Sequence, residues 1–266
     1  MIAATAEKRQ TGDLMDWLKI ALFSILDQDD EQSNNYIIAS YILKNYDRLP
    51  GVSLTEISKR CNLSKAAVSR FCKELGLIDY IDLQMLIRSR HYKSGGRKES
   101  LPAMENKKKF MDQVKETADD MEKILDQPLL EELIQDLSRY DSVCLLGHLQ
   151  ASHVAYILRN NLAMFGKLCS SAQSWIAQKE KLSNASEHDM FIIFSASGSF
   201  FERLDFNMNS LKTKNAPKIY MITSEECPDF GGCVRRIYIG TKHQSMISNI
   251  RMNLIANYIG ERFSHL

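Results

Sequence analysis

No run of apolar residues in this 266-residue chain approaches the ~20 that a membrane-spanning helix requires. Nor does it open like a secretory signal: Glu7, Lys8, Arg9 and Asp13 all precede any apolar run. Charge of one sign is lacking too. A formal net charge of +1 excludes a protein that coats polyanions with its whole surface, so any nucleic-acid contact has to come from local charge. The six cysteines, Cys61, Cys72, Cys144, Cys169, Cys227 and Cys233, include no CxxC pair and several fall on apolar faces, which favours buried free thiols over disulfides or zinc ligands. These absences give a cytoplasmic protein with no membrane, metal or cofactor as the expectation. Its length suits two modest domains.

The local charge exists. Between Lys59 and Lys98 the cations are Lys59, Arg60, Lys65, Arg70, Lys73, Arg88, Arg90, Lys93, Arg97 and Lys98, against only Glu74, Asp79 and Asp82. Such a stripe supplies the salt-dependent attraction to phosphates, although its Arg88–Lys98 part also reads as a solvated linker.

Within this stripe, Leu54 to Leu77 spells two short helices around a tight turn at Asn62-Leu63. Ser64 is a good cap for the second helix, because its hydroxyl can accept from an unpaired backbone N–H of the first turn. Ala66, Ala67, Val68, Phe71, Cys72 and Leu75 form an apolar stripe at helical spacing, the polar face carries Ser64, Lys65, Ser69, Arg70 and Lys73, and the small Ala66 and Ala67 let the helix approach another surface closely. Short hydroxyls, a slim alanine and long cations are what a helix needs to enter the major groove, where they reach phosphates and base edges. An ordinary helical hairpin with solvated charges is the bland alternative.

The fuller pattern is more specific. Glu56-Ile57-Ser58, Asn62-Leu63-Ser64, Val68-Ser69-Arg70-Phe71 and Leu75-Gly76-Leu77 resemble the helix-turn-helix of RpiR-type bacterial transcription regulators, over roughly Ser33 to Ile87. That family joins the DNA-binding domain to a C-terminal SIS (sugar isomerase) domain that senses phosphorylated sugars. The resemblance implies an all-α helix-turn-helix domain followed by an α/β SIS-type domain, with a mainly parallel sheet flanked by helices.

The patterning divides the chain accordingly. Residues 1–93 read as the DNA-binding domain, with Met1–Gly12 as a loose tail. Residues 94–105 read as a linker, clearest in Ser94-Gly95-Gly96-Arg97-Lys98-Glu99-Ser100. Residues 106–266 form the second domain, opening on a long helix from Asn106 to Asp126. Four apolar runs then read as strands: Ser142–Gly147, Met190–Phe194, Lys218–Thr223 and Arg236–Gly240. The helical patterns between and after them imply a parallel sheet with ligand-binding loops at its carboxyl end.

Two of those loops carry the SIS resemblance. Ser195-Ala196-Ser197-Gly198-Ser199-Phe200-Phe201-Glu202 follows a family Ser-x-Ser-Gly-x-Thr-x-Glu pattern that holds a sugar phosphate, with Phe200 in place of the Thr. The first loop departs further. Gly147-His148-Leu149-Gln150-Ala151 keeps one glycine of a Gly-x-Gly-x-Ser pattern and has Leu149 and Ala151 for the second Gly and the Ser. The resemblance implies effector contacts at Gly147, His148, Ser195, Ser197, Gly198, Ser199 and Glu202. For His148 a hydrogen-bonding surface role stands beside the altered contact.

Three functions fit this sequence. The leading one is a regulator, by family habit a repressor of carbohydrate metabolism, that binds a palindromic operator in double-stranded DNA as a homodimer or homotetramer and responds to a phosphorylated sugar. A second keeps DNA binding but uses a degenerate SIS domain only for oligomerisation. The third is a sugar-phosphate isomerase, for which Glu202 is the one carboxylate that can be placed near a bound sugar; the leading reading is not an enzyme.

Overall fold

The computed structural model describes residues 13–75, 77, 79–91, 103–148, 150–172, 175–204, 206–241 and 245–266. The expected tail Met1–Gly12 and the glycine-rich linker Ser94–Ser100 lie outside the described residues. Contacts divide the chain into two compact units, Met1–Glu99 and Ser100–Leu266.

The first unit is helical: α1 (Asp13–Gln28), α2 (Asn34–Lys44), a single 3-10 turn at Tyr46–Arg48, α3 (Leu54–Arg60), α4 (Lys65–Glu74) and α5 (Tyr80–His91). Helices α2, α3 and α4 each begin on a serine cap. Ser33, Ser53 and Ser64 each accept a hydrogen bond from the backbone N–H three residues on, at 3.0, 3.1 and 3.1 Å. One apolar core joins all of them, through Leu18 and Leu22 of α1, Ile38 and Ile42 of α2, Ile57, Val68, Phe71, Cys72 and Leu83. The Tyr80 hydroxyl donates to the Val52 carbonyl at 3.0 Å and ties α5 to the chain just ahead of α3.

The second unit begins with α6 (Ala103–Leu125) and α7 (Pro128–Arg139), then alternates: β1 (Ser142–Gly147), α8 (Gln150–Met164), β2 (Ser170–Ser171), α9 (Trp175–Ser183), β3 (Asp189–Phe194), α10 (Phe200–Arg203), a 3-10 turn at Met208–Leu211, β4 (Lys218–Thr223), β5 (Arg235–Tyr238) and α11 (Ser245–Phe263). All strand pairs are parallel, in the order β2-β1-β3-β4-β5. Side chains alternate across the sheet. Val143, Leu145, Ile192, Phe194, Tyr220 and Ile222 pack on one side with α7, α8 and α11, while Cys144, Leu146, Phe191, Ile193 and Met221 pack on the other with Phe200, Phe201 and Leu182. Burial on both faces is why these strands read as unbroken apolar runs.

Several expectations are corrected here. The sheet has five strands, not four, because Ser170-Ser171 pairs with Cys144 and Leu145 as a two-residue edge too short and polar to show periodicity. The last strand runs Arg235–Tyr238 and stops before Gly240, whose φ of +86° leaves the extended region. α6 starts at Ala103, so residues 103–105 of the expected linker are helical; Ala, Met and Glu are strong helix formers. All six cysteines are free, as expected, and burial pushes the Cys72 thiol up to about 12.

Candidate DNA interface and effector crevice

The hairpin of the first unit is closed by its backbone. After α3 the Asn62 N–H donates to the Lys59 carbonyl at 3.1 Å and the Leu63 N–H to the Ser58 carbonyl at 2.9 Å. This is the Schellman arrangement, with Asn62 at φ +53° in the left-handed position usually held by glycine. The reversal leaves Leu63 packed against the core and delivers Ser64 to cap α4.

On α4, Val68, Phe71 and Cys72 are buried. Lys65, Ala66, Arg70 and Lys73 are exposed with the cap Ser64, and Ser69 is half-buried between them. All six residues expected to meet DNA thus share the outward side of one helix. Lys65, Arg70 and Lys73 make no ion pair among the described residues, so their charges are available to phosphates. The helix's own carboxylate, Glu74, sits at its far end and accepts from Asn35 Nδ2 at 2.8 Å.

In the second unit the order 2-1-3-4-5 places a topological switch point between β1 and β3, and the crevice for a ligand lies beyond their carboxyl ends. Gly147 pairs with Phe194 as the last register pair, so His148 and Ser195 enter that crevice from opposite strands. Gly147 is required: a Cβ there would lie 2.7 Å from the carbonyl group of Ala151 in α8. Its carbonyl accepts from the buried Gln178 at 3.0 Å.

On the β3 side, the Gly198 N–H donates to the Ser195 carbonyl at 3.0 Å, and the chain turns through Gly198 at φ +69°. A Cβ on Gly198 would stand 2.4 Å from Cys227 Sγ, so the loop is pressed against the segment after β4. The Ser197 and Ser199 hydroxyls are 2.6 Å apart and hydrogen-bonded to each other, and Ser199 is 7% exposed.

Phe200 is 1% exposed and its ring stacks on His148, with centroids 4.6 Å apart and planes 18° apart. The two loops therefore touch through an aromatic pair. Burial, with Arg203 nearby, pushes the His148 imidazole down to about 3, so it is neutral at physiological pH. His148 is thus a half-buried ring stacked in the crevice. Glu202 goes the other way: it is exposed and its carboxylate makes no hydrogen bond or ion pair among the described residues. Leu149 lies outside the described residues.

The structure brings together Gly147, His148, Ser195, Ser197, Gly198 and Ser199, and leaves Glu202 at the rim. It also adds a residue that sequence reasoning missed. Ser224, one step beyond β4, donates its N–H to the Ala196 carbonyl at 3.3 Å. It is 1% exposed and its Oγ has no hydrogen-bond partner among the described residues. A Thr-Ser pair closing an apolar strand was the available signal. Among the described residues no cluster of side chains is arranged to hold a metal ion, and no helix is long and apolar enough to cross a membrane.

Residues 26–93 match the family model described as "Helix-turn-helix domain, rpiR family". A solved structure similar over both units is the Vibrio vulnificus NanR protein complexed with ManNAc-6P: 16% identity, 92% of this chain and 91% of that one covered, TM-score 0.52. A putative phosphosugar isomerase involved in capsule formation from Bacteroides fragilis is 14% identical over 61% of this chain and 90% of its own, with TM-score 0.48. The sugar isomerase domain of an RpiR transcription factor from Sphaerobacter thermophilus is 16% identical over 57% and 88%, with TM-score 0.43. No curated protein sequence matches. The architecture is a helical domain followed by an α/β domain with a parallel sheet, a fold shared with the NanR structure, and residues 26–93 match a helix-turn-helix domain of the rpiR family.

Proposed function

We propose that this chain is a DNA-binding transcriptional regulator, a repressor of genes of carbohydrate metabolism, that acts as a homodimer on a palindromic operator and responds to a phosphorylated sugar. One observation carries the DNA-binding half: Ser64, Lys65, Ala66, Ser69, Arg70 and Lys73 converge on the outward side of a capped helix whose other side is locked in the core. Two such helices, one per subunit, read two half-sites a helical turn apart. Selection of bound fragments from random duplex DNA, followed by binding titrations from about 50 to 200 mM salt, tests it. Recovery of a two-fold motif with a steep salt slope is the expected result. Salt-insensitive or absent binding overturns it.

The switch-point crevice supports the sensing half, through the serine-rich loop Ser195–Ser199 on its β3 side and Ser224 beside it; a protein of this fold holds ManNAc-6P. A ligand that binds one domain arrangement better shifts DNA affinity by that difference. The His148–Phe200 stack favours a second reading, in which the crevice is filled by aromatic rings and the domain serves oligomerisation only. A thermal-shift panel of phosphorylated sugars against their unphosphorylated forms separates the two. A dose-dependent rise for a phosphosugar supports sensing, and a flat panel supports the filled crevice. An isomerase would need an acid/base group at the sugar carbonyl, and the exposed, unsupported Glu202 fits that poorly.

A further inference from the structure

In a chain that is 25% charged, one face of the second unit carries almost no charge. The 23 residues of α6 include eleven Asp, Glu or Lys side chains, whereas the 15 residues of α8 include one charged side chain, Arg159. From Gln150 to Leu168 there is no Asp or Glu at all. Arg159 is itself occupied, lying 4.5 Å over the Tyr156 ring and donating to Ser171 Oγ at 3.0 Å. Lys167, the other cation of that segment, donates to the Tyr140 carbonyl. The adjoining α11 is similar: Arg251 is buried and paired with Asp120, and the remaining charges, Glu261 and Arg262, lie in its last turn.

What α8 and α11 expose instead is mostly apolar or amide, with the imidazole of His153 beside Tyr156. Tyr156 is 45% exposed, Met164 82% and Leu254 41%, and Phe165 and Leu168 follow in the turn after α8. Asn160 and Asn257 are exposed beside them. The two helices form one continuous surface. Asn161 Nδ2 donates to Asn257 Oδ1 at 3.1 Å, and Gly260 approaches the Asn161 side chain so closely that a Cβ would meet it at 2.8 Å.

Loss of charge together with exposed Tyr, Phe and Met is the composition of an interface core. Its chemistry also selects the occupant. An acidic or basic partner would bury charges with nothing to answer them, at a high desolvation cost. A two-fold contact requires a surface that complements itself. A face this poor in charge does so, and so do asparagine amides, each of which is both donor and acceptor. We propose that the α8/α11 face, centred on Tyr156, Asn160, Met164 and Leu254, is where a second copy of this chain docks. This rests on the homodimer proposed above and assigns its surface.

Sedimentation of the full chain without DNA tests it. The native protein is expected to be a dimer at micromolar concentration. Met164→Arg and Leu254→Arg should each raise the dimer dissociation constant by about 30-fold or more, with unchanged circular dichroism. Because a single arginine could disturb folding, a second pair supplies rescue. Asn160→Asp/Met164→Asp and Asn160→Lys/Met164→Lys should each be monomeric alone and dimeric when mixed. A native dimer that these variants leave intact, or a mixture that stays monomeric, overturns the surface but not the regulator. A native monomer at about 10 µM overturns the homodimer as well.

Discussion

The two units place their candidate sites differently with respect to their cores. In the first, the buried side chains of α4 hold the helix while the candidate cations Lys65, Arg70 and Lys73 stand exposed, with no ion pair among the described residues. In the second, the crevice residues are themselves packing residues: Phe200 is 1% exposed, Ser199 7%, and His148 lies against Phe200. A surface interface is built by one helix. A crevice is negotiated between loops far apart in the chain, and each of its side chains answers to both packing and ligand.

The largest expected effect separates these two roles. Phe71 and Phe200 are both 1% exposed, and truncating either to alanine should cost about 3–5 kcal/mol. Phe71→Ala should abolish DNA binding by releasing α4 from its core. Phe200→Ala should open the crevice, lower the melting point of the second unit and make it more responsive to added phosphosugars if the ring is what fills the site. Equal loss of DNA binding in both variants would erase the distinction between them. Arg70→Ala comes next: it touches no core, so stability should hold while operator affinity falls by about 1–3 kcal/mol. If Arg70 meets phosphate, the salt slope should also drop by about one.

The same contrast explains how far the sequence could be read. The periodicity of Val68, Phe71, Cys72 and Leu75 and the serine at position 64 are local signals, and they placed α4 and its outward face without tertiary information. Apolar runs likewise located four parallel strands, since burial on both faces leaves a mark on every residue. Ser170-Ser171 left none, because a two-residue edge strand exists only through its pairing with β1. The crevice was partly legible. Its serines and glycines stood in a known pattern, but the His148–Phe200 contact joins residues from different loops, and no spacing announces it. Ser224 was missed for a similar reason: it matters only because β4 lies beside β3.

A smaller effect sharpens the packing role of the crevice through pH. The His148 imidazole is held down at about 3, against about 6.5 in the unfolded chain. Below pH 6.5 the unfolded chain takes up a proton that the folded one refuses, so stability should fall with pH through the window from about 6.5 to 3. Between pH 6.5 and 5 this amounts to about 1–2 kcal/mol. His148→Gln should flatten that part of the stability curve relative to the native protein. Parallel curves for the two proteins would mean that His148 is solvated, and the crevice more open than its stacking implies.

The smallest pair is also the most discriminating, because the two residues are chemically identical. Ser64 uses its hydroxyl to cap α4 at the surface, whereas Ser197 commits its hydroxyl to Ser199 at 2.6 Å. Each alanine variant should lose only about 1 kcal/mol of stability, one through the missing cap and the other through the unsatisfied Ser199 oxygen. Their functional signatures should cross. Ser64→Ala frays the end of the helix proposed to enter the groove and should weaken DNA binding several-fold, with any phosphosugar response intact. Ser197→Ala should bind DNA as the native protein does and lose the effector response. If Ser197→Ala responds normally, the hydroxyl pair is structural and the ligand, if bound, sits nearer Ser224, whose buried oxygen has no hydrogen-bond partner among the described residues.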